Sequence, residues 1–339
     1  MKTALSFDDV LLVPQYSEIE SRKQILIKQN LRSVGNFSLP IISSPMDTVT
    51  GESMACAMDS AGGVGIIHRY NDMDEQAKIV MNVTSAGHNV GAAIGVGDDC
   101  IDRALCLSRA GVSFLCIDVA HGHHSKVRYA LEMLREVLGR ETHIMAGNVA
   151  TLEAFNDLAD WGADSIRVGI GGGSICSTRI QTGHGMPTLQ SIIDCARSDR
   201  DAALIADGGI RTSGDIVKAL AAGADFVMVG SLLAGTSETP GEVFRNANGK
   251  RYKVYRGMAS EAAQNDWRGK SSSPEGISTT VPYKGKTFPI LVDLHGGIRS
   301  GFSYTGARNF TEFYNKSEFI KQSNAGQSES FTHILKRRE

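Results

Sequence analysis

One unit recurs along this chain: a short run of β-branched and apolar residues, then a segment of helical period. The runs are Leu39–Met46, Val64–His68, Val90–Gly95, Phe114–Asp118, Ile144–Gly147, Ser165–Val168, Ala203–Ala206 and Phe226–Val229. Between them, Glu52–Ser60, Ser125–Leu138, Leu152–Trp161, Pro187–Ala196 and Ser213–Ala222 read as amphipathic helices, several ending at glycine or asparagine. Strands that are apolar on both faces and alternate with helices belong to a parallel sheet covered on both sides. Eight such units in 339 residues predict one α/β domain over residues 1–339, a closed (β/α)8 TIM barrel. An open doubly wound sheet is the alternative, and the eightfold count disfavours it.

The period breaks after the eighth run. Residues 240–288 are irregular, with a short strand at Arg251–Tyr255 and a Gly/Ser-rich stretch at Arg268–Gly276. An insertion of that length in a compact domain reads as a flap or lid. Helical period returns at Ile290–Ile298 and supplies the last barrel helix, and residues 316–339 read as a polar, partly mobile tail. Hydrophobic residues make up 42% of the chain and charged residues 21%, enough for a core and too apolar for a disordered chain. With 35 basic against 37 acidic side chains the net charge is -2, so no positive field recommends nucleic acid as a partner. No secretory leader, no run of 18 apolar residues and six cysteines without a CxxC pair lead to the expectation of a reducing, cytoplasmic setting, no membrane contact and a small-molecule ligand.

In such a barrel the chemistry sits at the C-terminal ends of the strands. Polar or glycine clusters fall there at Ser43–Asp47, His68–Arg69, Asp118–Gly122, Gly147–Asn148, Gly169–Thr178, Asp207–Gly209 and Gly230–Ser231. The last two follow strands seven and eight, where backbone N–H groups commonly cradle a phosphate. Asp207 suits ribose hydroxyls, or else a helix N-cap or turn. Four glycines precede Cys176, which lacks the apolar neighbours of a buried thiol. It is either a nucleophile, activated by Arg179 and the helix start near Pro187, or an incidental residue of a phosphate loop. His121, His123 and His124 have no convergent partners at ligand spacing and read as loop histidines rather than a metal site. Gly169-x-Gly171 is discarded as a dinucleotide fingerprint, because no acid follows about 20 residues on.

Taken together, these segments resemble the family of inosine monophosphate dehydrogenases and guanosine monophosphate reductases. The resemblance is carried by Leu5–Leu12, Ser44–Val49, Gly65–His68, Gly169–Arg179, Ala206–Arg211 with Ser213–Asp215, Gly230–Ser231 with Ala234–Gly235, Tyr255–Met258, Val281–Gly285 and Gly296–Ser300, in family order over nearly the whole chain. It implies that Cys176 attacks C2 of a purine nucleotide to form a thioimidate, with Thr178 and Glu275 relaying a proton. Asp207 would hold the ribose, and Gly208, Gly209, Gly230 and Ser231 the phosphate. Ser44, Met46, Ser174, Gly257, Met258, Ala259 and Gly276 would complete the nucleotide site. Arg69, Asp118, Val119, Ala120, Ile170, Gly171 and Met258 would contact a nicotinamide dinucleotide. Backbone around Gly171, Gly173 and Cys176 would hold a monovalent cation, potassium in relatives, and relatives are tetramers.

The branch turns on two features. His68 and Gly91 are separated by one short helix, which leaves no room for the regulatory Bateman (CBS) module of large dehydrogenases. Dehydrogenases also activate water with an Arg-Tyr pair on the flap, whereas residues 260–275 contain none, and Arg251-Tyr252 lies upstream. The expectation is therefore an NADPH-dependent guanosine monophosphate reductase converting GMP to IMP and ammonia. Thr182-Gly183 and Val119 also resemble reductases, while Asp207–Gly214, Tyr255–Met258 and Pro274–Ile277 read more like dehydrogenases, and Arg69 replaces the usual lysine. The alternatives are a compact IMP dehydrogenase using NAD, with Arg268 activating water, and a non-catalytic nucleotide-binding barrel.

Overall fold

The computed structural model describes residues 2–330 and 332. Eight parallel strands close into a barrel: β1 (Ile41–Ser43), β2 (Val64–Ile67), β3 (Val90–Ile94), β4 (Phe114–Asp118), β5 (His143–Val149), β6 (Ser165–Val168), β7 (Ala203–Asp207) and β8 (Phe226–Val229). Each pairs with its sequence neighbours, and β8 closes on β1 with Val227 opposite Ile41 and Val229 opposite Ser43. The ring is covered by α1 (Glu52–Ser60), α2 (Met73–Ser85), α3 (Cys100–Arg109), α4 (Ser125–Leu138), α5 (Leu152–Asp160), α7 (Thr188–Cys195), α8 (Ser213–Ala221) and α10 (Thr287–Thr305); a short α6 (Thr178–Thr182) precedes α7.

Strand periodicity divides the core in two. On β4, Phe114 and Cys116 face the barrel interior with Ile42, Ile66, Met145, Ile205 and Met228, while Leu115 and Ile117 face the helices. Burial there pushes the Cys116 thiol up to about 12, so it serves as a small hydrophobe. Cys100 and Cys195 are buried as well, whereas Cys56 and Cys106 are only partly covered. An N-terminal hairpin, Gln29–Leu31 with Gly35–Phe37, was not anticipated. It places Leu31 and Phe37 in the interior cluster, Phe37 edge-on to Phe226 at 6.0 Å. That closes the N-terminal end of the barrel and leaves the C-terminal end as the open mouth.

Helix α10 is longer at both ends than the Ile290–Ile298 period suggested, and it carries three glycines, Gly296, Gly297 and Gly301, in its interior. Close packing is the reason. A Cβ at Gly297 would lie 2.4 Å from the Ser213 Cβ, and one at Gly301 would lie 2.5 Å from Val217, so only glycine lets α10 approach α8. The segment after β8 is also more regular than it reads. Strands β9 (Phe244–Arg245), β10 (Arg251–Arg256) and β11 (Ser278–Pro282) form an antiparallel sheet, and α9 (Glu261–Arg268) lies between the last two. Ser260 caps α9 by accepting from the amide of Ala263, and Gly269 ends it in the left-handed region. Part of the polar tail is ordered: Phe319–Lys321 pairs antiparallel with Val10–Leu12. Residues 331 and 333–339 of that tail lie outside the described residues.

Candidate active site

A cleft of ≈ 460 Å³ opens at the C-terminal mouth of the barrel, and it is lined by every residue that the family resemblance assigns to catalysis, nucleotide, dinucleotide or cation. Its floor is the loop from β6 to α6. Gly169 opens that loop at φ +147°, and a Cβ there would sit 1.9 Å from the Asp207 carbonyl oxygen, so no other residue fits. The loop closes on itself through the amide of Cys176 donating to the Gly173 carbonyl at 3.1 Å.

The flap joins this loop through backbone hydrogen bonds. The Ser177 amide donates to the Glu275 carbonyl at 2.9 Å, the Ile277 amide to Ile175 at 3.0 Å, and the Glu275 amide to Ala259 at 3.0 Å. Three segments distant in sequence, 175–177, 257–260 and 275–277, thus form one small patch of sheet. Its consequence is a row of side chains: the Cys176 thiol donates to the Thr178 hydroxyl at 3.2 Å, and Thr178 donates to Glu275 Oε2 at 2.8 Å. A proton leaving sulfur therefore has a hydrogen-bonded path to a carboxylate. Arg179, expected to activate the thiol, is turned away and donates to the Met186 carbonyl at 2.7 Å. Nor is the helix that begins near Pro187 the nearest in sequence, since α6 starts two residues after Cys176.

Opposite this row stands a charge bridge that the sequence reading missed. Arg167, 6% exposed on β6, donates to Asp118 Oδ1 at 2.6 Å and to Asp207 Oδ2 at 2.9 and 3.2 Å. Burial opposes its charge, but Asp207 and Asp118 hold its protonation well above the usual range. Asn148 adds a bond to Asp207 Oδ2 at 2.8 Å, leaving Oδ1 without a hydrogen bond among the described residues. The helix-cap reading of Asp207 is thereby set aside, because Thr212 caps α8. A signal for Arg167 existed: an arginine at an inward position of a strand buried on both faces needs carboxylate partners.

The remaining walls follow from the same loops. The Asp47 amide donates to Met258 Sδ at 3.3 Å, which brings the Met46 loop and the flap together over the centre of the cleft. Tyr255, also missed, reaches Ser174 at 3.5 Å, and burial raises its phenol above the usual range. Beside Gly230 and Ser231, Lys284 donates to the carbonyls of Ser231 and Leu232 at 2.8 and 3.1 Å, fixing the peptide planes of that turn. Across the cleft, the Arg69 guanidinium lies 3.7 Å from Asp118, and its buried Nε makes no hydrogen bond among the described residues. An unspent donor beside a carboxylate fits a polar cofactor. Among the described residues no group of three or more His, Cys, Asp or Glu side chains could hold a metal; His123 instead pairs with Asp157 at 2.8 Å and stacks on Trp161.

Barrel, cleft and thiol row define a (β/α)8 protein with a cysteine at the mouth of the barrel and polar side chains on the walls around it. A family profile described as "IMP dehydrogenase / GMP reductase domain" matches residues 4–333. The chain belongs to this family of purine nucleotide oxidoreductases, which use NAD or NADP. It is 34% identical to an inosine-5'-monophosphate dehydrogenase of Nitrosopumilus maritimus (strain SCM1), covering 98% of both chains. The alignment runs over 470 positions, more than the length of this chain, so that relative carries internal residues without a counterpart here. Identity to the inosine-5'-monophosphate dehydrogenase of Cryptosporidium parvum is 38%, over 97% of this chain and 94% of that one. The structure matches that of a cysteine-to-alanine variant of GMP reductase from Trypanosoma brucei in complex with guanosine 5'-monophosphate, with a TM-score of 0.93, 30% identity and 98% of each chain covered. No helix among the described residues is long and apolar enough to cross a membrane.

Proposed function

We propose that this protein is an NADPH-dependent guanosine monophosphate reductase. The observation that carries the direction is the flap: α9 brings Gln264 and Arg268 to the cleft, and no Arg-Tyr pair follows Met258 to activate water. The thiol row supplies what the reductive reaction needs. Cys176 adds to C2 of the guanine, forming the S–C2 bond. Its proton passes through Thr178 to Glu275 and on to the exocyclic amine, which leaves C2 as ammonia. The dinucleotide, when bound, would supply the hydride that replaces sulfur at C2 and so yields IMP, and the released Cys176 thiolate regains a proton to restore the thiol.

The other side chains bind and orient. Asp207, with Oδ1 unspent, accepts from the ribose hydroxyls, and the Gly208–Gly209 and Gly230–Ser231 turns take the phosphate. Ser44, Met46, Ser174, Gly257, Met258, Ala259 and Gly276 surround the base and sugar. Arg69, Asp118, Val119, Ala120, Ile170 and Gly171 form the wall for the dinucleotide. The carbonyls of Gly171, Gly173 and Cys176 would hold a potassium ion, that of Gly173 keeping one lone pair beyond its bond to Cys176. Incubation with GMP and no dinucleotide tests the first half: one equivalent of ammonia with a nucleotide adduct on Cys176 supports it, and no adduct refutes it.

A second reading has one observation of its own. Arg268 lines the cleft without a hydrogen bond among the described residues, free to activate water for IMP oxidation with NAD, the activity in the names of the N. maritimus and C. parvum relatives. Arg268→Ala would then abolish IMP oxidation while leaving adduct formation intact.

A further inference from the structure

We propose that Tyr70 and Trp267 are positioning residues, a clasp that holds the flap helix against the dinucleotide side of the cleft. Their rings stack with centroids 5.5 Å apart and planes 11° from parallel, although Tyr70 follows β2 and Trp267 lies in the last turn of α9. The Tyr70 hydroxyl donates to the Met258 carbonyl at 2.7 Å, so one side chain holds both ends of the segment from Met258 to Trp267. Arg256 ties the same helix to the Met46 loop, bridging Asp47 and Asp266.

What the clasp controls is the direction of its neighbours. Arg268 follows Trp267 directly, and Gln264 lies one turn before it; both line the cleft. Arg268 has no polar partner of its own among the described residues, so the path of its backbone, set by the stack at Trp267, decides where its guanidinium points. The Arg69 guanidinium lies 5.6 Å from the Tyr70 ring centroid, which places the clasp against the group assigned to the dinucleotide. A stack of two half-buried rings is geometrically specific yet weak enough to open when a ligand enters or leaves.

The inference rests on placing the dinucleotide beside Arg69 and Asp118, and the direction of hydride transfer does not enter it. Its test uses the full-length protein with whichever pair turns over, GMP with NADPH or IMP with NAD. Trp267→Ala should raise the KM for the dinucleotide roughly tenfold, given one lost stack, while the nucleotide KM stays within about threefold. Trp267→Phe should recover most of the loss. The chain has two tryptophans, Trp161 and Trp267, so Trp161→Phe leaves Trp267 as the only indole. In that background Tyr70→Ala should make Trp267 more accessible to acrylamide quenching. Equal losses in both KM values, an unchanged dinucleotide KM, or quenching unaltered by Tyr70→Ala would each overturn the clasp. If neither pair turns over in the unmodified protein, the functional reading fails, and the quenching result still judges the clasp.

Discussion

Thr178 donates its hydroxyl proton to Glu275 at 2.8 Å across 97 residues of sequence, and the flap strand paired with the cysteine loop makes that contact possible. Glu275→Gln keeps the shape and removes the proton acceptor. It should lower kcat by about 10²–10⁴-fold, the usual worth of a general acid or base. Thr178→Ala should cost a similar factor, and the double variant little more, because each breaks the same path. Steady-state rates of the three variants check this; fully multiplicative losses would mean that the two residues act separately.

Arg167 neutralises two carboxylates at once, Asp118 and Asp207, to which the proposed function gives the dinucleotide and the ribose. Arg167→Met strands both beside a buried apolar side chain, and removing one partner of a buried pair costs about 3–5 kcal/mol. Urea denaturation should show a loss of that order, and the variant that survives should bind nucleotide more weakly. Arg167→Lys should recover charge without the fork that reaches both acids, and so regain stability better than nucleotide affinity.

How much of this was legible in the sequence differs by element. The barrel was, because Phe114–Asp118, Ser165–Val168 and Phe226–Val229 are apolar runs whose ends the structure reproduces. Helix α4 was, with Gly139 closing Ser125–Leu138. The order of motifs marked the residues around the mouth. Partnerships were not legible: Cys176 with Thr178 is local, but Glu275 reaches Thr178 only through backbone pairing of Ser177 with the flap, which no local pattern encodes. Arg167 lay within an apolar run and was read as part of the strand. The Leu31 and Phe37 plug escaped because a strand of three residues is too short to show a period. Helix α9 escaped because its only buried positions are Ala263 and Gln264, too few for an apolar stripe.

Asp225, at the turn before β8, accepts from the Leu204 amide at 2.8 Å, and burial raises its carboxyl to about 6. At the corresponding turn before β6, Asp164 instead has Arg135 as a partner. A folded pKa above the unfolded value of about 3.9 means that the folded state holds the proton more tightly. The cost is absent below about pH 4, grows as the pH rises through 6, and is then roughly 2–3 kcal/mol. Asp225→Asn keeps the acceptor without the charge, so it should raise the urea midpoint at pH 8 and leave it nearly unchanged at pH 4. An equal shift at both pH values would place the effect in packing.

The central claim is the direction of the reaction, and nicotinamide absorbance reads it directly. Purified protein should consume NADPH in the presence of GMP, releasing IMP and ammonia, and a Cys176→Ala variant should not. Turnover confined to IMP with NAD, with XMP as the product, would contradict the account.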